Sequence, residues 1–309
     1  MTGIRSAVVA GASGYIGRYL VARLRHRGAT VRTIGRGPGA DARWGDTDAI
    51  AQLLDGSDVL VNLAGRSVSC RYNKRNTDLI FRSRVDTTAE LAQALRVTTA
   101  PPSVWINAST GTIYRDARDR PQDEATGELG GGFSVEVARA WERELTDAPE
   151  GVRTVALRMS IVIGAGGGAI NPIINLTRMG FGGPMGDGGQ VFSWVHVEDV
   201  ARAIDHLYAR SDISGPVNVA TPNPVTNAAL MRQMREVFGA PFGLPEPRWL
   251  LEIGGRIIGT EPELVLKSRW VHPGVLLDSG FEFRFPALRG ALAQIASRTR
   301  RGLLPVQLG

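Results

Sequence analysis

Residues 8–17 read VVAGASGYIG, an apolar run that breaks into glycines at Gly11, Gly14 and Gly17. No other stretch restricts the fold as strongly. The glycines lie between a strand-like run and a segment with apolar residues at Ile16, Tyr19, Leu20 and Leu24. That order predicts a β-strand, a tight turn around Ala12 and Ser13, and an amphipathic helix starting near Tyr15. In such a turn Gly11 permits the reversal and Gly14 lets the backbone approach a pyrophosphate. Gly17 lets the helix pack close to the strand. Free N–H groups and the positive end of the helix dipole then face the phosphates. A glycine-rich turn that binds nothing carries the same local pattern.

The rest of the chain repeats the alternation. Strand-like runs fall at 4–10, 30–34, 58–63, 103–108, 153–158 and 216–219. Helical patterns fall at 15–27, 47–54, 75–97, 134–146 and 197–209, with Gly28 as a stop for the first. This predicts an α/β fold of Rossmann type, a doubly wound parallel sheet with ligands at the carboxyl ends of its strands. The expected division is a dinucleotide-binding domain over 1–160, with a strand and helix near 191–220 returning to it. A smaller, discontinuous substrate region covers 161–309. Within it, 164–190 holds ten glycines, 170–179 is a possible helix, and 226–238, 246–259 and 286–298 have helical patterns. Residues 281–285 (FEFRF) alternate apolar and polar.

Of 309 residues, 43% are hydrophobic and 21% charged, as in an ordinary globular enzyme. No apolar run reaches the roughly 20 residues of a membrane helix, and there is no signal-peptide pattern. The single cysteine, Cys70, forbids an intrachain disulfide and suits a reducing cytoplasm, which is the expected location. The net charge is +6, and only two of the 36 basic residues, Lys74 and Lys267, are lysines. Arginine richness fits either a compositional bias or attraction for an anionic small molecule. Scattered arginines and 6% aromatics argue against nucleic acid as a partner.

The end of the second strand discriminates between dinucleotides. An NAD site carries a carboxylate there for the ribose 2′-OH. TVRTIGRGPG has none; Arg36 stands in its place, and a guanidinium suits a 2′-phosphate. The expected cofactor is therefore NADP(H). Asp46, in RWGDTD, is placed either to accept from an adenine amino group or to cap a helix.

GASGYIG, WGDTDAI and DVLVNLAG resemble the extended short-chain dehydrogenase/reductases. SRVDTTAEL, LRMSIVIGAGGGAI, GFGGPMGDGGQVFSWVHVEDVARA and LLDSGFEFRFPAL narrow the likeness to the epimerase-family proteins, over essentially the whole chain. The resemblance implies an NADP(H)-binding domain and a small C-terminal domain. It implies cofactor-binding roles for Gly11, Ala12, Ser13, Gly14, Tyr15, Ile16, Gly17, Arg36, Asp46, Leu63, Ala64 and Gly65. It names no substrate.

Short-chain reductases use Tyr-x-x-x-Lys on a helix, where the Lys cation lowers the Tyr pKa so that the phenol can exchange a proton. By register that helix is FSVEVARAWERE (133–144). Phe133 or Ser134 replaces the Tyr, and Val137 or Ala138 the Lys. Cys70 and Glu263 stand four residues before the two lysines, so the motif exists nowhere in the chain. The resembling family also tends to lack it and has the same Trp141-Glu142 a turn later.

Three candidate catalytic residues lie in INASTGTIYRD: Ser109 or Thr110 to hold a substrate oxygen, and Tyr114 as a proton donor, with Arg118 four residues on. Tyr114 packed beside the nicotinamide is the plainer reading. His196 and Asp199 fit helix capping and loop anchoring, or substrate contact. His26, His196, His206 and His272 have no ligand spacing, and no metal is expected. Arg66, Arg71, Lys74 and Arg75 follow the third strand. Arg66 departs from the acidic residue of the family pattern, as Gly274 and Val275 depart from its basic ones. Lys267, Arg269 and Trp270 are candidates for a pocket wall.

The expected function is an NADP(H)-dependent oxidoreductase acting on a small carbonyl or alcohol, with an anionic substrate as one reading. The alternatives are an epimerase or dehydratase, and a regulator that binds NADP(H) without turnover. A homodimer through a helix pair is a further expectation from the superfamily.

Overall fold

The computed structural model describes residues 3–249, 251 and 266–305. The strands are β1 (Ser6–Ala10), β2 (Thr30–Gly35), β3 (Ala42–Arg43), β4 (Val59–Asn62), β5 (Val104–Thr110) and β6 (Arg153–Met159). They continue with β7 (Ile161–Ile163), β8 (Val191–Phe192), β9 (Trp194–His196), β10 (Gly215–Val219) and β11 (Val225–Thr226). The helices are α1 (Tyr15–His26), α2 (Thr47–Leu54), α3 (Lys74–Val97), α4 (Phe133–Arg143) and α5 (Ile170–Arg178). After them come α6 (Val197–Ala209), α7 (Asn227–Phe238), α8 (Gly274–Asp278) and α9 (Leu288–Ser297).

Seven strands form one parallel sheet in the order β10-β6-β5-β4-β1-β2-β3. The order reverses at β1, which pairs with β2 on one side and β4 on the other. Such a switch point opens a crevice at the carboxyl ends of the two central strands. The central strands β1 (SAVVA) and β4 (VLVN) read as near-continuous apolar runs because both faces are covered. Leu20 and Leu24 of α1 pack with Val200, Ile204 and Leu207 of α6 on one face. Residues of α2 and α3, among them Ile50, Leu54, Leu91 and Leu95, cover the other with Trp105.

Helix α1 ends where expected. Gly28 has φ +85°, and the Ala29 N–H donates back to the Leu24 carbonyl at 3.0 Å. The segment 164–190 contributes α5, which packs with α7 and α9 around Trp194, Met231 and Leu292. The expected helix at 246–259 falls largely outside the described residues. FEFRF is not a strand, although its alternation of burial holds: Phe281 is buried, while Glu282 and Arg284 are exposed. The reason is that the N–H groups of Arg284 and Phe285 are given to the Asp199 carboxylate, at 2.6 and 3.0 Å, and not to a neighbouring strand.

Candidate functional site

The first glycine turn sits at the switch point, and its glycines have different jobs. Gly11 has φ +76°, and a Cβ there would lie 2.6 Å from the Leu63 carbonyl and 2.7 Å from the Ala64 nitrogen. The turn is thus pressed against the end of β4. A Cβ on Gly17 would lie 2.3 Å from the Gly11 oxygen, so α1 packs directly on the turn. At Gly14 a Cβ would meet only the Gly11 oxygen, at 3.3 Å. Ser13 and Gly14 are exposed, while Ala12 and Ile16 pack against the core. No side chain caps α1, and no acidic residue lies in its first turn. Its leading N–H groups therefore face an open cradle that fits a pyrophosphate.

The Tyr15 ring turns away from this cradle, towards the glycines at 164–168. What Tyr15 offers a phosphate is its backbone. Arg36 is exposed one residue beyond β2. Asp46 caps α2, its Oδ1 accepting from the Ala49 N–H at 3.0 Å. Ala64 is fixed by Asn62, whose Oδ1 accepts the Ala64 N–H at 3.0 Å while its amide donates to Asn107 at 2.6 Å and Thr88 at 3.1 Å. Gly65 is exposed, and a Cβ on it would meet the Arg84 guanidinium at 3.2 Å.

Arg84 was not singled out in the sequence, although SRVDTTAEL contains it. Its guanidinium donates to the carbonyls of Ile80 (3.1 Å) and Arg66 (3.0 Å) and lies 5.1 Å from the centre of the Trp141 ring. No carboxylate among the described residues pairs with it, and burial pushes its pKa down to about 10. A cation so placed at a crevice edge is suited to an anionic group.

Helix α4 carries no proton-transfer pair. Its first residue, Phe133, meets Tyr72 edge-on at 5.2 Å, and Val137 and Ala138 are buried. A turn later Glu142 accepts from the Ser109 hydroxyl at 2.6 Å and from Arg158 through both oxygens, at 2.9 and 2.7 Å. Arg158 also donates to the Tyr114 hydroxyl at 3.0 Å, which in turn donates to Asn218 at 2.9 Å. The structure thus brings Ser109 and Tyr114 into one buried network. Tyr114 is 2% exposed, its proton is committed to Asn218, and burial raises its pKa. Ser109 is 4% exposed and spends its proton on Glu142. Thr110 is half-buried, and its oxygen accepts from the Thr112 N–H at 3.1 Å, which leaves the hydroxyl proton to be donated elsewhere.

His196 caps α6: its Nδ1 accepts from the Glu198 N–H at 3.2 Å, its Nε2 faces Gln294, and its ring packs on Phe285. Asp199 is fully buried and holds the 284–285 backbone. Both act as anchors. Arg118 pairs with Asp187 at 2.7 Å on the surface. Arg66 reaches Asn76 at 3.5 Å, and Lys74 and Arg75 begin α3. Lys267 and Arg269 line a small recess with Gln190, Phe192 and Asn227; Trp270 is not among its walls. Glu246 was also missed. It is 5% exposed, its Oε1 has no hydrogen-bond partner, and burial lifts its pKa to about 7. Among the described residues no group of three His, Cys, Asp or Glu is arranged to hold a metal ion, and no helix is long and apolar enough to cross a membrane.

A switch-point crevice with a glycine turn and an uncapped helix defines a dinucleotide-binding protein. The chain belongs to the NAD dependent epimerase/dehydratase family, whose profile matches residues 7–220. A domain of unknown function, DUF1731, matches 247–295. The chain is 31% identical to the mouse epimerase family protein SDR39U1, over 94% of this chain and 99% of that one. It is 30% identical to the epimerase family protein YfhF of Bacillus subtilis, over 92% and 96%. The crystal structure of human SDR39U1 (isoform 2) with NADPH superposes with a TM-score of 0.86 at 28% identity, covering 94% of this chain and 99% of that one. UDP-N-acetylglucosamine 4-epimerase from Bacillus cereus, at 17% identity and a TM-score of 0.75, shares the fold.

Proposed function

We propose that the chain is an NADP(H)-dependent oxidoreductase acting on a small carbonyl or alcohol. The observation that carries this is the open cradle at Gly14, before an uncapped α1 and beside an exposed Arg36. The human relative crystallised with NADPH adds support. Gly11 to Gly17 would hold the pyrophosphate, Arg36 the 2′-phosphate, and Leu63 to Gly65 the nicotinamide side. Bound there, the nicotinamide supplies hydride exchange with a substrate carbon. Thr110 is the hydroxyl that can donate to the substrate oxygen, since those of Ser109 and Tyr114 are engaged. Arg84, with no carboxylate partner among the described residues, favours an anionic substrate. An epimerase reaction would use the same cradle.

The reading is tested by titrating the protein with NADPH and NADH, following nicotinamide fluorescence, in wild type and Arg36→Ser. We expect tight NADPH binding, weak NADH binding, and a loss of about tenfold or more for NADPH alone in the variant, as for a charge-assisted hydrogen bond. Equal affinity for both in wild type would remove the role of Arg36, and no binding would remove the cradle. A second reading is favoured by the apolar start of α4: a regulator that binds NADPH and leaves it intact. Oxidation of bound NADPH by any carbonyl compound excludes it.

A further inference from the structure

The glycines at 164–168 lie beyond the dinucleotide turn, yet they are shaped around it. A Cβ on Gly164 would lie 2.2 Å from the Tyr15 hydroxyl. One on Gly167 would lie 2.8 Å from a ring carbon of Tyr15, and one on Gly168 would lie 3.0 Å from another. Gly168 also has φ +75°, a region that side-chain-bearing residues avoid. The hydroxyl donates to the Ala165 carbonyl at 3.4 Å, and burial pushes its pKa up. Tyr15 is therefore a peg in a sleeve made of glycine backbone.

The peg stands on the first residue of α1, next to Gly14, so it moves with the dinucleotide cradle. The sleeve leads through Ala169 into α5, the first helix of the C-terminal region. A glycine run has much backbone entropy to lose on ordering, and few contacts of its own to hold it. The Tyr15 ring supplies such contacts to Gly164, Gly167 and Gly168, with Val197 adding to them at Gly164. A ligand that fixes the start of α1 fixes the ring, and a fixed ring reduces the freedom left to the sleeve.

We infer that Tyr15 is a positioning residue that couples occupancy of the dinucleotide cradle to ordering of the 164–168 loop, so that the cofactor prepares the substrate side. The inference rests on the proposed NADPH binding. Its test is hydrogen–deuterium exchange with and without NADPH, in wild type, Tyr15→Phe, Tyr15→Leu and Tyr15→Ala. In wild type, NADPH slows exchange at 11–17 and, by about fivefold or more, at 164–168, the lower end of usual coupling between sites. Tyr15→Phe keeps the ring and keeps the coupling. Tyr15→Ala, or Tyr15→Leu if the alanine variant does not fold, retains slowing at 11–17 and loses it at 164–168. Slowing at 11–17 without any change at 164–168 in wild type overturns the coupling alone. Equal slowing at 164–168 in wild type and in the leucine or alanine variant does the same. No slowing at 11–17 in wild type overturns the dinucleotide reading, and the coupling with it.

Discussion

Helices α1 and α4 flank the sheet from opposite faces and belong to the same site in short-chain reductases, but here they differ in what they leave available. Helix α1 begins in glycines, without a cap, beside open space. Helix α4 begins in an aromatic contact and sends Glu142 into a closed set of hydrogen bonds with Ser109 and Arg158. Binding and proton transfer are thus separable: the cradle is open, while Ser109 and Tyr114 have their hydroxyl protons committed within a buried network. Polar residues at a catalytic address are available for chemistry only where their protons are not already committed, as those of Ser109 and Tyr114 are.

The contrast can be broken most directly at the Glu142–Arg158 pair, whose side chains are 17% and 10% exposed. Glu142→Ala strands a guanidinium and should cost about 3–5 kcal/mol of stability by denaturant unfolding. The folded fraction should keep its NADPH affinity. A variant as stable as wild type would mean that the network is not scaffold. A control away from both helices is Glu246→Gln. Burial raises the Glu246 pKa to about 7, so the folded state favours the protonated acid. Its penalty is absent below the ordinary carboxylate range, grows as pH rises towards 7, and is constant above. The variant should therefore gain up to about 3 kcal/mol over wild type at pH 8 and nothing at pH 4. A gain independent of pH would show that the carboxyl is not the cause. On the α1 side, Gly17→Ala should cost about 1–3 kcal/mol by forcing the helix off the turn, and NADPH affinity should fall with it. Unchanged affinity would detach the cradle from its glycines.

The α1 side was largely legible in the sequence because its signals are local: a strand, three glycines and a helical period lie within two dozen residues. The strands and most helices were legible for the same reason. The α4 side was not. That the two lysines lack a tyrosine partner can be read directly, but the bonds from Ser109 to Glu142 and from Tyr114 to Asn218 join residues 33 and 104 positions apart. Arg84 and Glu246 were hidden for a related reason: a charged residue gives no sequence sign that it is buried. FEFRF misleads in another way, because its period of two is real, yet a single carboxylate from α6 takes the N–H groups a strand would need.

That carboxylate also bears on the order of synthesis. Asp199 lies on a helix that packs against α1, but its two donors are 85 and 86 residues further along the chain. While a ribosome is still making residues 220–283, the nascent sheet and α6 carry an acid bound for a buried position, with Arg202 at 3.8 Å but without its two backbone donors. Domains generally fold as units and from the N-terminus during translation, but this one is not complete until its final arm arrives. Premature termination before Arg284 would therefore weaken the packing of α6 on α1 as well as remove the final arm.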